Sequence, residues 1–291
     1  MKGIVVLPNF NRPEFLHVCL EHILKADESD SYTYLFCFDY GFDTQLNTIY
    51  EEFPLEKYRI NMDRHLYSPL SKQSRNVLNG FCAAAEISTE QNYLVHLIED
   101  DIFVGRDYFT FHEKLHEAEP DLFCSILSAN NNTQYDVSND ENSYYISDKP
   151  DYQSLGVCYE ASVIREYLFK HHNKTYYFNP EVYCTSQFPN SIIGRYYVEQ
   201  DGLIRRELEN SNKNTAFAHV PRCYHAGFYG NNRGKYQRGS LQARIKHVKE
   251  VCFSDEAMRR AVDDEAYYND SKPVNLNTKH TKLKHKPCQI S

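Results

Sequence analysis

The sequence predicts an α/β fold, a central sheet with helices on both faces, and two observations predict it. Strand-like and helix-like segments alternate through the first half of the chain. The run Leu94-Val95-His96-Leu97-Ile98-Glu99-Asp100-Asp101 is a short apolar segment that ends in three consecutive carboxylates. Acids at the carboxyl end of a buried strand sit where open α/β sheets bind ligands.

Each element has a local reason. Gly3 to Pro8 reads as a buried strand. Pro13 to Ala26 reads as a helix, with Pro near its start and Phe15, Val18, Cys19, His22 and Ile23 at helical spacing. Tyr34 to Asp39 is a second strand that ends in an acid before Gly41, and Tyr58 to Met62 a short third. Leu70 to Glu86 reads as a helix, Tyr93 to Ile98 as the fourth strand, Asp107 to His116 as a helix and Leu122 to Ser128 as a strand. The second half is less regular. Asn130 to Tyr152 is polar and reads as a loop; helices are expected within Glu160 to His171, Pro189 to Leu208 and Leu241 to Val262. From Tyr267 onward the chain is polar and Lys-rich, and a loosely attached tail is expected. The division expected is 1–129 for one half of a domain, 130–266 for its other half, and 267–291 for the tail.

Composition narrows the function classes. The formal net charge of −8 argues against a uniformly basic nucleic-acid coat. No apolar run approaches the roughly 18 residues of a membrane span. The first residues enter a strand-like segment and make a poor signal peptide. The nine cysteines are scattered singly, with no CxxC, and read as free thiols of a cytoplasmic protein rather than a disulfide framework or zinc site.

Several residues could carry chemistry. Glu99, Asp100 and Asp101 repel one another, so a cation should neutralise them. Hard oxygen ligands favour Mg²⁺ or Mn²⁺, often shared with nucleotide phosphates. A solvated acidic turn is the competing reading. Arg12, in Asn9-Phe10-Asn11-Arg12-Pro13, can reach a diphosphate or a base. Asp39 could accept hydrogen bonds from a uracil or ribose, and Arg75, in Ser74-Arg75-Asn76, could face phosphates. Glu199-Gln200-Asp201-Gly202 supplies a distant carboxylate that could take a proton from an acceptor hydroxyl. Residues 221–234 include Arg222, His225 and Arg233 among glycines and tyrosines, a composition suited to a mobile loop closing over a phosphate-bearing donor. His225 could ligate a metal, contact a phosphate or be structural.

These motifs, in this order, resemble the GT-A glycosyltransferases, and within them the family of N-acetylglucosaminyltransferase I and its O-mannose-linked relative. Ile98-Glu99-Asp100-Asp101-Ile102 followed by Asp107-Tyr108-Phe109 is similar to that family's acidic, DXD-type metal motif and the helix after it. Leu122-Phe123-Cys124-Ser125 with Ala129-Asn130-Asn131-Asn132 resembles the next strand and its Asn-rich turn. Gln200-Asp201-Gly202-Leu203-Ile204-Arg205-Arg206 resembles the segment of the catalytic base, Arg222-Cys223-Tyr224-His225-Ala226-Gly227 the turn before the donor-closing loop, and Phe10-Asn11-Arg12 the nucleotide-binding Arg motif. The resemblance implies a Rossmann-like, mixed but mostly parallel sheet with an irregular acceptor half. It implies a UDP-sugar donor with Mn²⁺ or Mg²⁺, Asp101 as direct metal ligand, and Glu99 and Asp100 at the nucleotide end; the position of His225 is not a uniform histidine in that family. Arg12, Asp39 and Arg75 would contact the nucleotide, Arg222 and Arg233 would belong to the donor-binding turn and loop, and Asp201 would be the base of an inverting transfer. Where the family has aromatic residues beside its base, this chain has Gln200 and Leu203.

The acceptor is approached through charge. From Asn210 to Lys249 there is no Asp or Glu, and eight cations occur: Lys213, Arg222, Arg233, Lys235, Arg238, Arg244, Lys246 and Lys249. The tail adds Lys272, Lys279, Lys282, Lys284 and Lys286. Such clustering, with Tyr224, Phe228, Tyr229 and Tyr236 interspersed, fits phosphate-backbone binding and base stacking. A solvated charged helix with a disordered tail fits equally. One expectation is therefore a phage-type DNA-modifying enzyme acting on a hydroxymethylated base. A glycan or glycolipid acceptor is another, and a non-catalytic nucleotide- or nucleic-acid-binding module a third.

Overall fold

β1 (Gly3–Asn9), almost wholly buried, runs through the middle of the sheet. It pairs in parallel with β2 (Tyr32–Phe38) on one side and β4 (Leu94–Leu97) on the other. β3 (Lys57–Asn61) adds in parallel to β2. Beyond β4 lie β8 (Val157–Glu160), β6 (Leu122–Ile126), β9 (Asn214–Ala218) and β7 (Tyr144–Ser147), giving the order β3-β2-β1-β4-β8-β6-β9-β7. β8 runs antiparallel to β4 and β6, β7 runs antiparallel to β9, and the other six strands share one direction. The fold is thus mixed α/β with a mostly parallel sheet, as the alternation and the resemblance predicted. The computed structural model describes residues 2–63, 68, 71–88, 93–128, 144–147, 150–189, 198–227 and 239–253.

The helices cover both faces because the central strands are apolar on both sides. Val5 and Leu7 of β1, with Tyr34, Phe36 and Phe38 of β2, pack with α1 (Pro13–Lys25), α2 (Gln45–Glu52), α4 (Tyr108–Ala118) and α9 (Leu241–Phe253). Ile4, Val6, Leu35 and Cys37, the alternate positions, pack with α3 (Lys72–Ile87), the helical segment opened by α5 (Ala161–Val163), and α8 (Gln200–Ser211). A period of two along each strand sends neighbouring side chains to opposite layers. A Cβ on Gly80 would approach within 2.9 Å of Cys37 Sγ, so α3 seats directly on the sheet there. The short helices α6 (Lys174–Phe178) and α7 (Pro180–Gln187) form a satellite cluster with Leu78 and Leu203.

The second half holds more sheet than its composition predicts. β7 lies inside the span expected to be loop, and β8 and β9 were not foreseen. These strands are only four or five residues long, too short to display a period, and are recognisable by their partners alone. The helix expected from Asp107 appears as α4, and the helix expected within Pro189 to Leu208 appears as α8, which begins at Gln200. The Asn-rich turn at 129–132, the loop at 228–238 and the tail at 267–291 lie outside the described residues. Eight cysteines are described, all of them free and buried. Among the described residues no helix is long and apolar enough to cross a membrane.

Candidate active site

The site forms where strand order reverses about β1, the usual ligand crevice of an open parallel sheet. β1 ends at Asn9. Arg12 follows with a non-helical backbone, immediately before Pro13 opens α1. A residue before proline is disfavoured in helical conformation, so Arg12 stays in the loop and its side chain is left to reach across the sheet end. β4 ends at Leu97, and the N–H of Ile102 donates to the Glu99 carbonyl at 3.0 Å, closing a turn that holds Asp100 and Asp101.

The chain then enters β5 (Ile102–Val104), which pairs antiparallel with β10 (Cys223–His225) as a separate ribbon. His225 stands opposite Ile102, and the next amide, Ala226 N–H, donates to the Asp101 carbonyl at 2.8 Å. This pairing carries a sequence-distant histidine to the acid cluster.

Arg12 neutralises much of that cluster. Its Nη1 donates to Asp101 Oδ2 at 2.6 Å, its Nε to Asp100 Oδ2 at 3.2 Å, and its Nη2 to Asp100 Oδ1. His225 Nε2 lies 3.4 Å from the same Asp101 Oδ2. Both aspartates are buried, at 5% and 4% exposure. Burial pushes Asp100 and Glu99 above the usual carboxylate range; the like charge of Asp101 adds to this, and Arg12 opposes it. Burial acts on Asp101 too, but the hydrogen bond from His225 and the guanidinium outweigh it and hold that carboxyl low. One guanidinium cannot neutralise three clustered acids, and Asp101 is the one whose carboxyl is held low.

Asp101 and His225 also fit a divalent ion in part. Asp101 Oδ1 is buried without a hydrogen-bond partner among the described residues. A Cβ added to Gly227 would collide with Asp101 Oδ2 and stand 2.7 Å from His225 Nε2, so a glycine is needed for the chain to pass this close. Among the described residues no three His, Cys, Asp or Glu side chains come together as a metal cage. Two donors suit Mg²⁺ or Mn²⁺, which keep waters and share substrate phosphates.

Asp201 lies in the first turn of α8, after Glu199 at the N-cap. It is exposed, yet the protein around it raises its carboxyl, opposed by hydrogen bonds from Ser154 and Gln200. Ser154 Oγ donates to Asp201 Oδ2 at 3.4 Å. The charge of Asp201 also contributes to raising Glu99.

Asp39 and Arg75 belong to the adjoining end of β2. Asp39 N–H donates to the Asn9 carbonyl at 2.9 Å. Burial raises its carboxyl, while the Tyr40 N–H, Arg75 and Lys72 favour its charged form. Arg75 Nη1 donates to the Asp63 carbonyl at 3.3 Å.

Arg222 is placed otherwise than expected. It is 1% exposed, its Nε lies 3.2 Å from Asp107 Oδ2, its Nη1 bonds the Val220 carbonyl, and it stacks 4.2 Å over the Phe111 ring. Its guanidinium holds α4 to the β10 turn. Arg233 lies outside the described residues. Sequence reading passed over Gly227 and Ser154 as individual residues. Gly227 was one of several glycines in a loop, and nothing near Ser154 marks it as a partner of Asp201.

No known protein family and no curated protein sequence matches the chain. Among solved structures, S. aureus TarS 1–349 is similar with a TM-score of 0.49 and 11% identity, over 77% of this chain and 60% of that one. The chain thus spans less than two thirds of that protein segment. Mannosyltransferase PcManGT from Pyrobaculum calidifontis, in complex with GDP-Man and Mn²⁺, gives 0.45 and 11% over 89% of this chain and 72% of that one. Galactosyltransferase LgtC, in complex with donor and acceptor sugar analogs, gives 0.41 and 12% over 70% of each chain.

Proposed function

We propose that the chain is a metal-dependent glycosyltransferase of GT-A type that moves a sugar from a UDP-sugar to an acceptor hydroxyl with inversion. The observation that carries this reading is the convergence of Arg12, Asp101 and His225 at the carboxyl ends of β1 and β4, with Asp201 in electrostatic range of Glu99. Residues 1–129 are then the donor half and 130–266 the acceptor half. Arg12 and Arg75 take the diphosphate and nucleotide, Asp39 accepts from the uracil or ribose, and Glu99 and Asp100 line the nucleotide end. Asp101 and His225 would hold Mn²⁺ or Mg²⁺, which supplies neutralisation of the leaving diphosphate. Asp201 takes the proton of the acceptor hydroxyl. Its exposure lets an acceptor reach it, and a raised carboxyl is the better base.

The acceptor side has changed its balance. Of the eight cations in the acid-free stretch, Arg222 is bound to Asp107, Arg244 to Glu14 at 2.7 Å, Lys249 to Glu21 at 2.6 Å and Lys246 to Glu250 at 3.6 Å. Charges already paired within the protein release fewer counterions from a phosphate backbone. The DNA acceptor therefore rests on Lys213 and on Arg233, Lys235, Arg238 and the tail lysines, which apart from Lys213 lie outside the described residues.

The test is UDP release with Mn²⁺ across a panel of UDP-sugars, each alone, with hydroxymethylcytosine DNA, and with simple glycans. Release stimulated by one acceptor class establishes the transferase and names that class. Mn²⁺-dependent binding of UDP with no release from any donor would replace the enzyme with a nucleotide-binding module.

A further inference from the structure

Arg12 constrains how any cation reaches Asp101. Nη1 lies 2.6 Å from Oδ2, and His225 Nε2 stands 3.4 Å from that same oxygen. The other oxygen, Oδ1, is buried with no hydrogen-bond partner among the described residues. Asp101 therefore offers one oxygen already taken by a guanidinium and one that is sealed. A divalent ion arriving beside a fixed guanidinium meets like charge in a buried setting where screening is weak. A diphosphate reverses this. It supplies oxygens that a guanidinium fork binds as readily as it binds a carboxylate, and its negative charge offsets both cations.

We propose that Arg12 is a switchable counter-cation. Without nucleotide it closes over Asp100 and Asp101 and excludes a divalent ion; a nucleotide diphosphate draws it away and opens Asp101. The local backbone allows the movement. Arg12 precedes Pro13 and lies outside α1, and its side chain is 18% exposed, so swinging it needs no unwinding of the helix. Metal and nucleotide then bind with positive coupling that originates in Arg12, and linkage makes the coupling equal in both directions. The inference deepens the UDP-sugar reading and rests on it.

The experiment measures Mn²⁺ binding to the full chain from the EPR signal of free Mn²⁺, with and without saturating UDP. Wild-type protein should hold Mn²⁺ weakly alone and about tenfold more tightly with UDP. Arg12→Ala should hold Mn²⁺ alone about tenfold more tightly than wild type does and lose most of the gain from UDP. Arg12→Lys keeps the charge without the fork, should fall between the two, and replaces Arg12→Ala if that variant does not fold. Wild type binding Mn²⁺ equally with and without UDP overturns the proposal, as do folded Arg12 variants that bind Mn²⁺ alone no better than wild type. Failure of the underlying reading looks different. Mn²⁺ and UDP together would then not be held by wild type, Asp101→Asn would change nothing, and both ideas would fall.

Discussion

His225 Nε2 lies 3.4 Å from Asp101 Oδ2 because the neighbouring amide, Ala226 N–H, is tied to the Asp101 carbonyl at 2.8 Å. The backbone bond fixes the imidazole against the carboxylate, and Gly227 completes the turn where a side chain has no room. Gly227→Ala should therefore disturb Asp101 and His225 together. Forcing one methyl into a fitted site costs about 1–3 kcal/mol. Titration with Mn²⁺ and UDP should show about tenfold weaker binding or worse. Unchanged binding would mean that the turn is not part of the donor site.

Asp101 and Asp201 should fail in different ways. Asp101→Asn should weaken Mn²⁺-dependent UDP binding and abolish turnover. Asp201→Asn should leave that binding nearly unchanged and lower kcat by about 100-fold or more, the usual contribution of a positioned base. Full transfer activity in both variants would show that the chemistry happens elsewhere.

Arg244 belongs to the packing of α9 on α1, and Lys246 does not. Arg244 donates to Glu14, itself 1% exposed, and to Gln45, whereas Lys246 is 78% exposed beside Glu250. Arg244→Ala should cost about 1–3 kcal/mol, because it takes a charged partner from a buried carboxylate. That lowers Tm by roughly 2–5 °C in a chain of this size. Lys246→Ala should leave Tm within about 1 °C, as exposed pairs contribute little. Equal melting of the two variants would place Glu14 outside the stabilising network.

The buried histidines should contribute less stability on mild acidification. Burial lowers His22 to about 4, His96 to about 3 and His116 to about 4, and lowers His112 as well. In the unfolded chain each imidazole titrates near 6.5, taken as about 6.5 from model peptides. Below that pH the unfolded state binds more protons than the native state, so stability rises with pH in this window. It is complete above about 6.5 and is lost progressively as the pH falls towards the native values. The raised carboxyls of Asp100 and Glu99 act in the opposite sense over the same window, so the histidine contribution is read by comparing wild type with His116→Gln in thermal melts at pH 7 and pH 5. Tm of the variant should fall less on acidification than that of wild type; equal falls would mean that the His116 ring is solvated in the native protein.

Much of the fold could be read from local pattern. Residues such as Val5, Phe36 and Val95 sit in apolar runs bounded by polar turns, and α1 and α3 show their periods plainly. The short strands β5, β7, β8, β9 and β10 could not be read that way. Their few residues are strands because neighbours pair with them, and pairing is not local information.

The same division holds at the site. The sequence by itself determined which chemical groups stand at the strand ends: Arg12 before a proline, Asp39 after β2, and three acids after β4. It also determined that clustered acids need a cation. Only the tertiary structure decided which cation answers them, that His225 joins Asp101 through the β5–β10 ribbon, and that Arg222 turns inward to Asp107. It likewise decided that half of the cations in the acid-free stretch already have acidic partners. The reason is physical. Propensity and hydrophobic period act over one or two turns of chain, whereas charge pairing and strand pairing depend on distances that only the folded path creates.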